Sequence, residues 1–141
     1  MAETLKITVD LPVSPERVFR AWLDSYEHSR FTGSPAKIND QVGGAYTAYD
    51  GYIKGVTLVR SPFSRIVQSW RTRDFSPGSP DTQVEIKLEP TCLGAQMILV
   101  HSGVPDGQSR EYMEAWEEKY LRPLLIYFEE QVGETAVDID G

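Results

Sequence analysis

The segment that most restricts the fold of this chain is YLRPLLIYFEEQ, residues 120–131. Its apolar residues recur at helical spacing and cover more of the helix surface than the arc of about 100° that an amphipathic helix needs. Pro123 stands inside it, and a proline in a helix interior lacks an N–H and costs roughly 3 kcal/mol. We therefore expect a long helix over residues 109–131 that lies in the hollow of a curved sheet and bends at Pro123. One predicted stripe comprises Met113, Trp116, Tyr120, Leu124 and Tyr127, and Leu121, Leu125 and Phe128 widen it.

The preceding chain supplies that sheet. Leu5, Ile7, Val9 and Leu11 alternate with polar residues, which is the period of a half-buried strand. Residues 14–26 follow as an amphipathic helix with an N-cap serine and a proline at the first helical position, and HSRFTGSP is expected to be a polar loop. Short strands are predicted near residues 36–39 and 45–49, with a hairpin turn at Asp50-Gly51, and four more strands are predicted at residues 52–60, 65–73, 82–90 and 95–103.

Helices that cover one face of an antiparallel sheet give an α+β fold. In the clearest strand, Val84, Ile86 and Leu88 face inward and charged residues face outward, so one face of the sheet is dry. We expect one domain over residues 1–132 and a flexible acidic tail over residues 133–141.

Charge and cysteine content narrow the possible partners. The 14 Lys and Arg residues against 21 Asp and Glu give a net charge of −7, which does not favour binding to nucleic acid or anionic lipid. Cys92 is the only cysteine, and no apolar run approaches the roughly 20 residues of a membrane span. These features predict a cytoplasmic protein without disulfides, and the polar outward faces of the strands predict a monomer.

Five motifs, FTGSPAKI, GGAYTAYDGYIKGV, RIVQSWRT, HSGVP and WEEKYLRPLLIYFE, occur in this order along the chain. Together they resemble the START-like SRPBCC superfamily, and within it the group named after the C-terminal domain of the activator of heat-shock protein 90 ATPase. The resemblance implies a helix-grip fold, in which a long C-terminal helix rests across a seven-stranded antiparallel sheet and usually leaves a cavity. Related folds host lipid carriers, cyclases, hydrolases, stress-linked binders and co-chaperone domains, so fold alone does not give the function.

Candidate chemical residues are few. His101 follows Met97 and Leu99 at a spacing of two and is expected to point inward, where it could be structural, contact a ligand or act as a base. His28 is expected to be solvated in a polar loop, and Cys92 to lie at a turn. Arg71 and Arg73 are expected on the face opposite Trp70, solvated, with Asp74 as a neighbour. The spacing of histidines, cysteine and carboxylates matches no metal site and no phosphate-binding loop, so no cofactor is predicted.

Aromatic and apolar residues of the sheet and the last helix could line a cavity and orient a ligand through their polar atoms. The residues predicted to line it are Trp70, Met97, Leu99, His101, Trp116, Tyr120, Leu124 and Tyr127. The leading hypothesis is a module that binds an apolar or aromatic small molecule, and the alternative is a domain that interacts with a heat-shock protein 90-type chaperone. A third hypothesis is a cyclase-type or hydrolase-type enzyme that uses His101 and Tyr120 as acid or base. We also expect the hinge for any movement of the last helix at residues 103–105.

Overall fold

The computed structural model describes residues 2–140, and it describes the side chains of residues 2–133. The elements in chain order are β1 (Glu3–Leu11), α1 (Pro15–Leu23), α2 (Ser25–Thr32), β2 (Lys37–Ile38), β3 (Ala45–Ala48), β4 (Ile53–Ser61), β5 (Arg65–Thr72), β6 (Thr82–Thr91), β7 (Gly94–Val104), α3 (Ser109–Trp116), a π-helical turn (Glu117–Leu121) and α4 (Arg122–Asp140). The flexible acidic tail expected at residues 133–141 stays a prediction, because the side chains from residue 134 onward lie outside this description.

The seven strands form one antiparallel sheet in the order β1-β7-β6-β5-β4-β3-β2. Every hairpin from β2 to β7 joins neighbouring strands, and β1 pairs with the last strand, so the two helices α1 and α2 bridge the opposite edges of the sheet. The α+β helix-grip fold is thereby confirmed. The Asp50-Gly51 turn is also confirmed, because both residues have positive φ and the Tyr52 N–H donates to the Tyr49 carbonyl.

The region after β1 corrects one expectation. The helix predicted over residues 14–26 is split at Asp24, whose extended backbone ends α1 and whose carboxylate accepts the Glu27 N–H as the N-cap of α2. The segment expected to be a loop is therefore helical as far as Thr32, where Gly33 ends α2 with a φ of 75°. A side-chain acceptor at Asp24 is enough to start a second helix at once, and the polar composition of HSRFTG concealed it.

The core lies between the dry face of the sheet and the helices α1, α3 and α4. The predicted inward orientation of Val84, Ile86 and Leu88 is confirmed, since all three are buried. From the helix side, Leu124 and Phe128 are completely buried, and Leu121 is nearly so. The wide apolar surface predicted for the C-terminal helix therefore contacts the sheet on one side and α2 on the other.

The irregularity expected at Pro123 is a π-helical turn immediately before it. The Arg122 N–H donates to the carbonyl of Glu117, five residues back, instead of the carbonyl four residues back. An α-helix would direct the N–H of residue 123 toward the Lys119 carbonyl, and proline has none to donate. The Tyr49 hydroxyl donates to that carbonyl instead. The β3–β4 turn thus completes the hydrogen bonding of the C-terminal helix, and π-bulges of this kind are a recognised cause of helix kinks.

Candidate functional site

A cleft of about 770 Å³ lies between the N-terminal part of the C-terminal helix and one end of the sheet. Its sheet side is formed by the β3–β4 turn, the end of β5, the loop of residues 73–81 and the end of β7. The aromatic residues on this side are Tyr49, Tyr52, Trp70 and Phe75, and those from the helix are Tyr112, Trp116 and Tyr120. The volume is within the range of small-molecule sites, and its aromatic lining is typical of them.

Three of the eight residues predicted to line a cavity do line this cleft: Trp70, Trp116 and Tyr120. Met97, Leu99 and Leu124 are completely buried in the packed core, because they lie further along the sheet and helix, where the two surfaces meet without a gap. The structure therefore places the open volume at one end of the helix and not along its whole length. The ligand-binding role of all eight residues stays a prediction.

His101 lies behind the aromatic wall and is completely buried. The Trp116 indole N–H donates to His101 Nδ1 at 3.0 Å, so the proton of the neutral imidazole is on Nε2, which donates to Thr82 Oγ1 at 2.7 Å. The Thr82 hydroxyl in turn donates to the Trp70 carbonyl at 2.9 Å. Burial lowers the pKa of His101 to about 4. Both ring nitrogens are thus engaged, one with the Trp116 indole and the other, through Thr82, with the backbone of Trp70.

His28 forms a second such network, and the expectation that it would be solvated is wrong. It is 2% exposed and packs among the rings of Trp22, Phe31 and Tyr120. Its Nδ1 lies 2.8 Å from the Trp22 carbonyl and must donate, so Nε2 accepts the Tyr120 hydroxyl at 3.0 Å. Burial lowers the pKa of His28 to about 4, although its bond to the Trp22 carbonyl opposes the shift. His28 is buried because it lies within α2, and the polar sequence around it did not predict this helix.

The two networks bear on the acid–base hypothesis. The Tyr120 hydroxyl is committed to His28, and burial raises its pKa well above the ordinary value for a tyrosine. No hydrogen bond between His101 and Tyr120 occurs in the described part of the chain, and neither His101 nitrogen is free to accept a substrate proton. This geometry does not support the pair as a general acid and base.

The two carboxylates of the cleft, Asp74 and Glu111, are exposed and lie at its mouth. The Tyr52 hydroxyl donates to Asp74 Oδ2 at 2.6 Å, and Glu111 stands on the first turn of α3. Asp74 and Glu111 line the cleft together with Tyr112. Burial raises the pKa of the Tyr112 phenol, and the neighbouring Tyr52, Asp74 and Glu111 raise it further.

The expected surroundings of Arg71 and Arg73 are partly wrong. Arg71 is only 19% exposed; its guanidinium bonds Asp81 at 2.6 Å and the carbonyls of Ser76 and Ser79, so it anchors the 73–81 loop. Asp74 is therefore not its partner. Arg73 donates to carbonyls of the β3–β4 turn and holds that turn against β5.

Sequence reasoning missed four aromatic residues of the cleft: Tyr49, Tyr52, Phe75 and Tyr112. Tyr112 was detectable, because it precedes Trp116 by four residues and so shares its helix face. Tyr49 and Tyr52 flank a predicted turn, and nothing in a local pattern shows which way a turn residue points. Phe75 lies in a loop and reaches the cleft by packing edge-on against Trp70, at 5.9 Å between ring centroids.

Cys92 is exposed at the β6–β7 turn, as expected. Within the described residues, no group of three or more His, Cys, Asp or Glu side chains is arranged to hold a metal ion. No helix of the described chain combines the length and the apolar character that crossing a membrane would require.

The sheet order, the covering helix and the cleft between them define a helix-grip protein of the START-like SRPBCC class. Residues 12–129 match the family described as "Activator of Hsp90 ATPase homolog 1-like protein". The chain belongs to this family, which confirms the resemblance carried by the five sequence motifs.

Three relatives illustrate the match. An activator of 90 kDa heat shock protein ATPase homolog from Dictyostelium discoideum is 28% identical over 120 residues, which cover 84% of this chain and 31% of that protein. The crystal structure of an HSP90 activator from Plasmodium falciparum has a TM-score of 0.78 at 24% identity, with 88% of this chain and 94% of that chain covered. The crystal structure of a Chromobacterium violaceum protein has a TM-score of 0.71 at 29% identity, with 89% of this chain and 96% of that chain covered. The chain spans about a third of the length of the curated relatives it matches.

Proposed function

We propose that this chain is a binding module that holds an apolar or aromatic small molecule in the cleft between the sheet and the first part of the C-terminal helix. The observation that carries the proposal is a cleft of about 770 Å³ with seven aromatic rings in its lining. Aromatic side chains provide a large apolar contact area at fixed geometry. A monomer with a cytoplasmic location is part of the same proposal.

The construction of the wall supports this function. Trp116 and Tyr120 would each bury an unpaired polar atom if they merely filled space, and that costs about 1–3 kcal/mol per group. Each is paired with a histidine behind it, so the rings are fixed in orientation while their other sides remain available to the cleft. Rings fixed before binding reduce the entropy lost when a ligand is ordered against them.

Two measurements test the proposal. The mass of freshly purified protein under native conditions, compared with its denatured mass, reveals any molecule retained in the cleft. A titration with naphthylethanol, followed by tryptophan fluorescence, tests binding directly because Trp70 and Trp116 line the site. We expect saturable binding with a Kd in the micromolar range.

A matched pair of variants locates the site. Ala115 lines the cleft, so Ala115→Phe should fill part of it and weaken binding at least about tenfold, which corresponds to 1.4 kcal/mol. Ile126 is 47% exposed on the same helix outside the cleft, and Ile126→Phe should leave binding unchanged. A protein with no retained molecule and no saturable binding would contradict the proposal.

The second candidate function is interaction with a heat-shock protein 90-type chaperone. It is favoured by the family match and by the names of the Dictyostelium and Plasmodium relatives. A pull-down of such a chaperone by the purified chain tests this candidate. Leu58 is 46% exposed on β4, so Leu58→Asp serves as a surface variant in the same pull-down. Absence of the chaperone from the captured material would count against this candidate.

A further inference from the structure

The charged groups at the mouth of the cleft extend the proposed function to a class of ligand. We propose that the cleft takes a molecule whose aromatic or apolar body carries a protonated amine. The inference rests on the proposed function, because it concerns the same cleft. It is carried by the position of two carboxylates beside a wall of tyrosine and tryptophan rings.

The first step concerns the aromatic lining. The face of a tryptophan, tyrosine or phenylalanine ring is electrostatically negative and attracts a cation within about 6 Å of its centroid. Trp70 stands 5.9 Å from the Tyr112 ring and 5.8 Å from the Trp116 ring, centroid to centroid, so three rings from two different elements meet in one place. A small ammonium group at this junction would be within reach of more than one ring.

The second step concerns the carboxylates. Asp74 accepts the Tyr52 hydroxyl through Oδ2, and no hydrogen bond from a described side chain reaches its Oδ1. Glu111 projects from the start of α3, and no described residue forms an ion pair with it. Both carboxylates line the same cleft as Tyr112. The cleft that contains the ring junction therefore also contains two acceptors for an ammonium group.

The third step is the balance of charge. Among the described residues, Lys119 is the one basic side chain in the lining, against the two acidic side chains of Asp74 and Glu111. Of the nearby guanidinium groups, Arg71 is paired with Asp81, whereas Arg73 keeps its charge and directs its donors to the carbonyls of Asp50 and Gly51. The chain as a whole carries a net charge of −7, which favours the approach of cations and disfavours that of anions.

A set of three probes with one aromatic body tests the inference: naphthylethylamine, naphthylethanol and naphthylacetate, measured by calorimetric titration at pH 7. We expect the amine to bind about tenfold more tightly than the alcohol, from cation–π attraction and charge pairing together. The acetate should bind more weakly than the alcohol. Raising the salt concentration should weaken the amine alone, because only its attraction to the exposed carboxylates is screened.

Charge-neutral variants assign the effect to residues. Asp74→Asn keeps an oxygen that can accept the Tyr52 hydroxyl, and Glu111→Gln keeps the length of the side chain. Each should weaken amine binding about threefold to fivefold and leave alcohol binding unchanged, as expected for a partly exposed charge pair. Glu117→Gln is the matched control, because Glu117 is exposed on the same helix and does not line the cleft.

The outcomes separate the two proposals. If the alcohol binds as tightly as the amine, or if both acidic variants weaken the two probes equally, the amine preference is wrong and the binding function stands. If none of the three probes binds, the amine preference is wrong, and the binding function fails as well when the purified protein also retains no molecule. Amine binding that is stronger than alcohol binding and depends on Asp74 and Glu111 supports both.

Discussion

The two halves of the C-terminal helix meet the same sheet in different ways. In the first half, Tyr112, Trp116 and Tyr120 border an open cleft, and the two buried rings are held by hydrogen bonds to histidines. In the second half, Leu124 and Phe128 are completely buried with no polar atoms to satisfy. Tyr120 also contacts the rings of Trp22, Phe31, Tyr49 and Trp116, so the hydrogen bonds to histidines add to packing in orienting the cleft rings. The helix therefore separates stability from binding along its length.

The sharpest test of this separation is removal of the Phe128 ring. Phe128→Ala should lower the free energy of unfolding by about 3–5 kcal/mol, because it leaves a cavity in a fully packed region. Naphthylethanol binding by the folded fraction should change less than about twofold, which corresponds to 0.4 kcal/mol. Urea unfolding and the fluorescence titration measure the two effects.

The matched change in the first half is Tyr112→Ala. Tyr112 is only partly buried, so its loss should lower the free energy of unfolding by about 1 kcal/mol, while probe binding falls several-fold. The proposed difference between the two halves would be wrong if Phe128→Ala abolished probe binding in protein that remains folded. It would also be wrong if Tyr112→Ala left probe binding unchanged.

The next effect is a loss of folding stability at acidic pH, to which His28 and His101 both contribute. Their pKa values are lowered by burial to about 4 from 6.5, so the unfolded chain binds protons at a higher pH than the folded chain does. Stability is therefore full above about pH 6.5 and falls as the pH drops toward 4. Each histidine contributes roughly 3 kcal/mol to this loss, since one pKa unit corresponds to 1.36 kcal/mol.

Urea unfolding at pH 7 and pH 5 measures the loss, and nitrogen-15 NMR of the imidazole rings assigns it. The neutral tautomers should differ, with the proton on Nδ1 of His28 and on Nε2 of His101. Two histidines with the same tautomer, or titration of either ring near pH 6.5 in the folded protein, would show that the hydrogen-bond networks are not as described.

The sequence predicts the fold better than the cleft, and the reason is physical. Alternation in β6 and the wide apolar surface after Tyr120 are repeated signals, each supported by several residues with one periodicity. The cleft is formed where elements end, by turn residues such as Tyr49 and a loop residue such as Phe75, whose directions depend on tertiary contacts. Leu124 and Trp116 also follow the same helical periodicity, although Trp116 borders the cleft and Leu124 is completely buried. The prediction that His28 is solvated is wrong for a local reason: Asp24 is the N-cap of α2, and this helix contains His28.

A smaller effect is expected when the polar atom of a cleft ring is removed. Tyr120→Phe leaves His28 Nε2 without its donor and keeps the ring, whereas Trp116→Phe leaves His101 Nδ1 without its donor and also replaces the indole by a smaller ring. Each should lower the free energy of unfolding by about 1–3 kcal/mol, the usual range for a buried group left unsatisfied. If these bonds orient the rings, Tyr120→Phe, which keeps its ring, should also weaken naphthylethanol binding, and unchanged affinity of this variant would show that packing alone orients the ring.

The smallest effect concerns the junction between the two halves. Tyr49→Phe removes the hydroxyl that donates to the Lys119 carbonyl, which should lower the free energy of unfolding by about 1 kcal/mol. Pro123→Ala restores an N–H at the position that an α-helix would direct toward this carbonyl. In the double variant the loss caused by Tyr49→Phe should then shrink, because the carbonyl regains a donor within the helix. A double-mutant cycle by urea unfolding measures this coupling. Additive changes would mean that the tyrosine does not compensate for the proline, and that the π-helical turn is stabilised by the surrounding packing instead.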